Sequence, residues 1–177
     1  IVLAAGLSRR YGPANKLLAD YHGQPLIRWV ITAIQSAHLD PLVVTGHEAD
    51  KVAAVCACAT SFNPRYAEGM GSSLAHGAAL APLGAPILVV LGDMPQLRPN
   101  VIEQILRAFS SDTDIVVPIY QEEPNRYGHP VLFGSAYKSA LESVTGDEGG
   151  RLILKQNEQN IRSVFVEGAL EDLDMPV

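Results

Sequence analysis

The sequence predicts an α/β protein with a mostly parallel central sheet covered by helices on both faces, and three observations predict it. Four short runs, residues 1–4, 42–45, 87–91 and 115–117, are almost purely apolar, as strands buried on both faces are. The stretches between them carry apolar residues at helical spacing. Small-residue or glycine loops follow Ala4, Phe62 and Leu91. In a parallel sheet such loops share the carboxyl edge, where ligands bind.

Taken in order, the first loop gives way to Pro25, which sits at the first turn of a helix carrying Leu26, Trp29, Val30, Ala33, Ile34 and Ala37. Pro41 restarts the chain as the strand 42–45, and residues 47–50 lead into a second helix reaching about Ala57. Phe62 and Asn63 make a short strand, and E-G-M-G-S-S-L, residues 68–74, runs from a glycine loop into a third helix. Ser72 or Ser73 is placed to cap that helix. The strand 87–91 ends in G-D-M-P, Pro99 starts a helix over 101–109, and 115–117 is a strand again. Residues 121–126 turn polar and read as an exposed excursion. The chain returns through Y-G-H-P-V-L-F, residues 127–133, to a helix near 135–144, then G-D-E-G-G-R, residues 146–151, and a last strand at 163–166. No repeat, low-complexity tract or linker divides it, so residues 1–177 read as one domain, with both termini expected to be trimmed.

Of 177 residues 47% are hydrophobic, enough for a sizeable core, and no apolar run approaches the length of a membrane span. A net charge of −6 argues against a nucleic-acid binder, which needs a basic surface, but leaves small anionic ligands open. Cys56 and Cys58 read as neighbours on a helix, pointing to separate faces, which disfavours a shared metal or a disulfide. With no signal peptide, a cytoplasmic setting is expected.

Two stretches carry the chemistry. Gly6, Ser8, Arg9, Arg10, Gly12 and Lys16 fall within the loop after the first strand. Small residues there let backbone N–H groups approach a bound anion, and the cations stand where a polyphosphate needs them. The glycines are wrongly spaced for a dinucleotide fingerprint, and Lys16 is followed by Leu17 rather than the Ser or Thr of a Walker loop. The other stretch is L-G-D-M-P, residues 91–95. Asp93 directly follows a buried strand, where a carboxylate suits Mg²⁺, although an Asp in such a place also serves as a cap or turn residue. Gly149, Gly150 and Arg151 at a helix start offer an anion seat. His129, before Pro130, either meets a substrate or is structural.

The front stretch resembles the signature L-A-A-G-x-S-x-R-x-G…K of nucleotidyltransferases of the molybdenum-cofactor and sugar-nucleotide type, with Arg10 and Lys16 on the motif cations. N-P-R-Y-A-E-G-M-G-S-S-L, residues 63–74, R-Y-G-H-P-V-L-F, residues 126–133, and G-D-E-G-G-R resemble the subgroup of molybdopterin cytidylyltransferases. D-L-D-M-P, residues 172–176, is similar to that family's late D-x-D-T-P. The resemblance implies a three-layer α/β/α Rossmann-like nucleotidyltransferase fold and transfer of CMP from CTP to the phosphate of molybdopterin, with loss of pyrophosphate. It implies Mg²⁺ on Asp93 and Asp174, and Arg10, Lys16 and Asp93 as catalytic residues. The nucleotide would be bound by Leu3, Ala4, Ala5, Gly6, Ser8, Arg10, Lys16, Gly69, Gly71, Ser72 and Asp93, and the acceptor by His129, Gly149 and Arg151. Ala5, where GTP-using relatives carry glycine, points to CTP among the NTPs. The implied partners are the nucleotide, molybdopterin or the molybdenum cofactor, and a molybdenum hydroxylase apoenzyme, with no nucleic acid or membrane. Transfer to another phosphorylated acceptor, or a non-catalytic role in carrying the cofactor, are the alternatives.

Overall fold

The computed structural model describes residues 1–7, 15–121, 126–147 and 149–167. Its centre is a seven-stranded sheet. In chain order its strands are β1 (Val2–Ala4), β4 (Leu42–Thr45), β5 (Ala59–Phe62), β6 (Ile87–Leu91), β7 (Ile115–Tyr120), β8 (Val131–Phe133) and β9 (Ile161–Val166). They lie side by side as β5-β4-β1-β6-β8-β7-β9. β8 runs antiparallel to both β6 and β7, and the remaining pairs are parallel. A separate hairpin, β2 (Asp20–Tyr21) with β3 (Gln24–Pro25), turns through His22 at positive φ and Gly23. This hairpin is not apparent in the sequence, because two-residue strands leave no periodicity to detect.

Alternation along the strands sorts the core into two layers. Val2, Val43, Val90, Val116 and Leu132 face α1 (Leu26–Ser36), α2 (Ala49–Cys56) and α4 (Pro99–Ala108). Ile87, Val89, Ile115, Val117, Val131 and Phe133 face α3 (Met70–Leu80), α5 (Lys138–Glu142) and α6 (Arg151–Gln156). The protein is thus the three-layer α/β/α sandwich expected of the sequence. Burial of each large aliphatic side chain contributes about 1.5–3 kcal/mol, so these two layers dominate the stability. Polar contacts then fix the elements. The Trp29 indole N–H donates to the Tyr21 carbonyl at 2.7 Å, tying the hairpin to α1, and Arg28 donates to the Cys56 carbonyl at 2.6 Å, closing the end of α2.

Several boundaries differ from the sequence reading. The helix expected over 101–109 begins two residues earlier, with Pro99 as its first residue, where the missing N–H costs nothing. The segment near 135–144 divides into a 3₁₀ turn, Ser135–Tyr137, and the short α5. Cys56 and Cys58 do not share a helix: α2 ends at Cys56, and Ala57 is left-handed at φ 49. Both thiols are free. His76 lies on α3, and its Nε2 is hydrogen-bonded to Ser61 Oγ at 2.8 Å. Among the described residues no helix is long and apolar enough to cross a membrane.

Candidate active site

The parallel core of the sheet brings the first and third loops together. β1 and β6 are neighbours, with Leu3 opposite Leu91. The Gly92 N–H continues the ladder by donating to the Leu3 carbonyl at 2.9 Å. A side chain at Gly92 would press its Cβ to 3.0 Å from that oxygen and 3.4 Å from Leu17 Cδ2, so the close approach favours glycine. Asp93 therefore leaves the sheet directly beside the loop that follows β1.

Lys16 reaches the same point from a 3₁₀ turn, Lys16–Leu18. Buried Asn15 caps that turn, accepting from the Leu17 N–H at 3.1 Å and donating to the His47 carbonyl at 3.3 Å. The capping fixes where the lysine side chain starts. Lys16 Nζ stands 3.3 Å from Asp93 Oδ2, although the two residues are 77 positions apart. The lysine side chain is only 8% exposed and the aspartate 35%, so the ammonium is held within the protein while the carboxylate still opens to solvent.

Both line one cleft of about 500 Å³. Its sheet end is made by Leu3, Ala4, Ala5, Gly6, Lys16 and Asp93, and its far end by Glu68, Gly69, Met70, Ser73 and Asp147. Of the expected nucleotide-contacting residues, Gly71 and Ser72 are not on the lining. The Gly71 N–H donates to the Gly146 carbonyl at 2.7 Å. Ser72 Oγ lies 2.7 Å from the Arg65 carbonyl and 3.0 Å from the Gly69 carbonyl, and it accepts from Asn63 Nδ2 at 3.0 Å. Neither serine caps α3, as the sequence reading had placed them to do: Gly69 occupies the cap and the serines lie inside the first turn. Asn63 also donates to Ser73 Oγ at 3.1 Å and accepts from the Arg65 N–H at 3.0 Å, which makes it the organiser of this loop.

The far end is held by a close approach of two backbones. Gly69 has φ 110, and a Cβ there would collide with Asp147 Oδ1 and the Gly146 carbonyl. Glycine satisfies both demands at once. Asp147 and Asn63 escaped the sequence reading, although both lie in stretches it singled out. An asparagine ahead of a glycine loop is itself a loop-organising signal, as the glycines and hydroxyls beside it are.

Of the expected acceptor residues, Gly149 is buried against Met70, whose Sδ lies 3.4 Å from where a Gly149 Cβ would stand. Arg151 is exposed as the first residue of α6. His129 precedes β8 beside the end of β6. Burial holds its imidazole below the ordinary histidine pKa, and the Tyr120 hydroxyl donates to its carbonyl at 2.7 Å. Ser8, Arg9, Arg10, Gly12, Asp172 and Asp174 lie outside the described residues.

The described residues contain no group of three His, Cys, Asp or Glu able to hold a metal by themselves. The donor set nevertheless fits a hard divalent cation. Asp93 offers oxygen ligands in an open cleft, and Mg²⁺ binds through one or two carboxylates while keeping water and phosphate in its other positions.

The sequence model of the MobA-like NTP transferase domain matches residues 1–161. The chain belongs to the MobA-like NTP transferase family. It is 30% identical over 167 residues to nicotine blue oxidoreductase of Paenarthrobacter nicotinovorans, covering 88% of this chain and 80% of that protein. It is 36% identical over 160 residues to the bifunctional protein GlmU of Dinoroseobacter shibae, covering 84% of this chain but only 35% of that longer protein. Among solved structures, Rv0371c of Mycobacterium tuberculosis superposes with a TM-score of 0.83 at 27% identity, covering 98% of this chain and 90% of that one. The manganese complex of Rv0371c superposes at 0.75 and 25% identity, covering 99% and 88%. The domain is therefore a nucleotidyltransferase in kind, with a divalent metal bound in a similar fold.

Proposed function

We propose that this chain, acting as one domain, transfers CMP from CTP to the terminal phosphate of molybdopterin and releases pyrophosphate, in service of molybdenum hydroxylases. The observation that carries the reading is the Lys16–Asp93 pair at 3.3 Å in a cleft whose wall is the small-residue loop after β1. The triphosphate lies along Ala4, Ala5 and Gly6, where no bulky side chain shields the backbone. The Lys16 ammonium stabilises charge growing on the α-phosphate, and Arg10 holds the leaving pyrophosphate. Bound at Asp93, and at Asp174 from the end of the chain, Mg²⁺ would neutralise triphosphate oxygens. Gly69 and its neighbours receive the nucleoside. The acceptor phosphate approaches past His129, Gly149 and Arg151, attacks the α-phosphorus in line, and the bond to the β-phosphate oxygen breaks. Such transfers need positioning and charge neutralisation more than covalent chemistry, and a buried ammonium beside an open carboxylate supplies both.

The test is pyrophosphate release with molybdopterin or its molybdate form, across all four NTPs, with and without Mg²⁺. Metal-dependent release that prefers CTP supports the reading. Release with a sugar phosphate instead of molybdopterin would transfer the proposal to another phosphorylated acceptor. Cofactor binding without any release would make the chain a carrier. The similarity to nicotine blue oxidoreductase favours one further reading, a redox role, which an assay for reduced-nicotinamide consumption would reveal.

A further inference from the structure

The cleft carries charge where Lys16 and Asp93 stand, but Tyr66 and Met70 also line it, and they bring apolar surface. Met70 is 46% exposed. Phe62, whose ring centroid lies 6.3 Å from that of Tyr66, is 53% exposed. Large apolar side chains left half open beside a charged site offer a surface to the apolar face of a ligand.

The Tyr66 side chain is confined at its root. The point where a Gly46 side chain would begin is ringed by Tyr66 Cβ at 2.5 Å, Tyr66 Cγ at 2.6 Å and Ala5 Cβ at 2.7 Å. Any other residue at position 46 would push Tyr66 away, so glycine there lets the ring settle beside the loop after β1. The Tyr66 N–H donates to the Asn63 carbonyl at 3.3 Å, and Tyr66 opens the 3₁₀ turn Tyr66–Glu68, so its backbone is held as well. A ring confined in this way loses little freedom when a ligand lies against it.

The sheet order tells which part of a ligand the ring would meet. In β5-β4-β1-β6-β8, Tyr66 follows β5 and packs at Gly46, just past β4, on one side of the β1–β6 pair. His129, just ahead of β8, is on the other side. Lys16 and Asp93 meet between them, where β1 and β6 end. A triphosphate held at that pair has its base directed to one side and its acceptor to the other.

We propose that the Tyr66 ring is the wall on which the base of the bound NTP stacks, so that it supplies affinity for a nucleotide that bare polyphosphate does not draw on. The inference rests on the reading that the chain binds an NTP, and it adds a base-binding residue to that reading. Every base has a π-face, so stacking contributes whichever base is present and leaves discrimination to groups at the base edge.

Three probes are titrated calorimetrically into the full chain: α,β-methylene CTP, inorganic tripolyphosphate and the pterin neopterin. Tyr66→Leu is expected to weaken the CTP analogue by about tenfold or more, the scale for losing an aromatic platform under one base. The same variant should keep its tripolyphosphate affinity within about twofold, because phosphate binding draws on backbone and charge at the other end of the cleft. Tyr66→Phe keeps the ring and should stay within about threefold of the unaltered chain for the analogue. Unchanged analogue affinity in Tyr66→Leu would overturn the proposal. So would an equal loss for tripolyphosphate, a loss confined to neopterin, which would give the ring to the acceptor, or no binding of the analogue to the unaltered chain. Pyrophosphate release from CTP with molybdopterin tests the transferase reading apart from this one. Release together with an unaffected Tyr66→Leu sinks the stacking wall alone, whereas the expected binding pattern without release sinks the transfer reaction alone.

Discussion

The two ends of the cleft are held by different physics. At the sheet end, Asp93 and the loop after Ala4 leave adjacent parallel strands, so the hydrogen-bonded ladder and the core beneath it fix their spacing. At the far end, Gly69 and Asp147 are brought together by two loops docked backbone to backbone, and a single added Cβ would part them. The difference teaches where chemistry and specificity can reside. Groups that must act on the reacting phosphates belong on the rigid end, whereas contacts that select a nucleoside or an acceptor can be varied by loop changes without disturbing the sheet.

The sharpest way to break that comparison is at the rigid end. Lys16→Ala and Asp93→Ala are each expected to lower turnover by at least ~10²-fold, the scale for removing one preorganised charge. Steady-state kinetics of pyrophosphate release check this, and a loss of only two- or threefold in either variant would contradict the assignment. Gly69→Ala probes the docked end. It forces a side chain into φ 110 and into Asp147, at a cost of about 1–3 kcal/mol. Urea denaturation should register that loss, and the KM for nucleotide should rise more than kcat falls. A change confined to kcat would mean that the two ends are not separable.

Asn63→Ala goes beneath the same loop. It strips Ser72 and Ser73 of their buried donor and frees the Arg65 N–H, so a loss of about 1–3 kcal/mol in chemical denaturation is expected. An unchanged midpoint would show that the network does not hold the loop. The smallest effect lies away from the cleft. Burial pushes the Cys56 thiol up to about 12, so the folded chain keeps a proton that the unfolded chain releases near the ordinary thiol value of about 8.5. Above that value the unfolded state binds fewer protons, and stability falls as pH rises towards 12. Cys56→Ala should flatten this decline in denaturation curves between pH 8 and 10 while leaving pyrophosphate release near pH 7 unchanged.

The sequence made the rigid end legible and the docked end only partly so. Continuous apolar runs such as 87–91 reveal buried strands, and a carboxylate or a cation just past such a run is on the ligand edge by topology alone. The meeting of Lys16 with Asp93 follows once β1 and β6 are neighbours. The docking of Gly146 and Asp147 onto Gly69 and Gly71 was not legible, because no local pattern couples two loops so far apart in the chain. The motif at 68–74 drew attention to Ser72 for its hydroxyl, yet Ser72 is spent on internal hydrogen bonds and Ser73 faces the cleft instead. Which of two adjacent serines points outward is set by the entry angle of α3, and that depends on Gly69. The hairpin of β2 and β3 and the end of α2 at Ala57 were missed for a similar reason, since both turn on positive φ angles at His22 and Ala57, residues that do not advertise them.

The most direct measurement is pyrophosphate release from CTP with molybdopterin, comparing the unaltered chain with Lys16→Ala and Asp93→Ala. The account predicts Mg²⁺-dependent release that both substitutions all but abolish. No release with any NTP and any phosphorylated acceptor, or release that persists at full rate without Lys16 and Asp93, would contradict it.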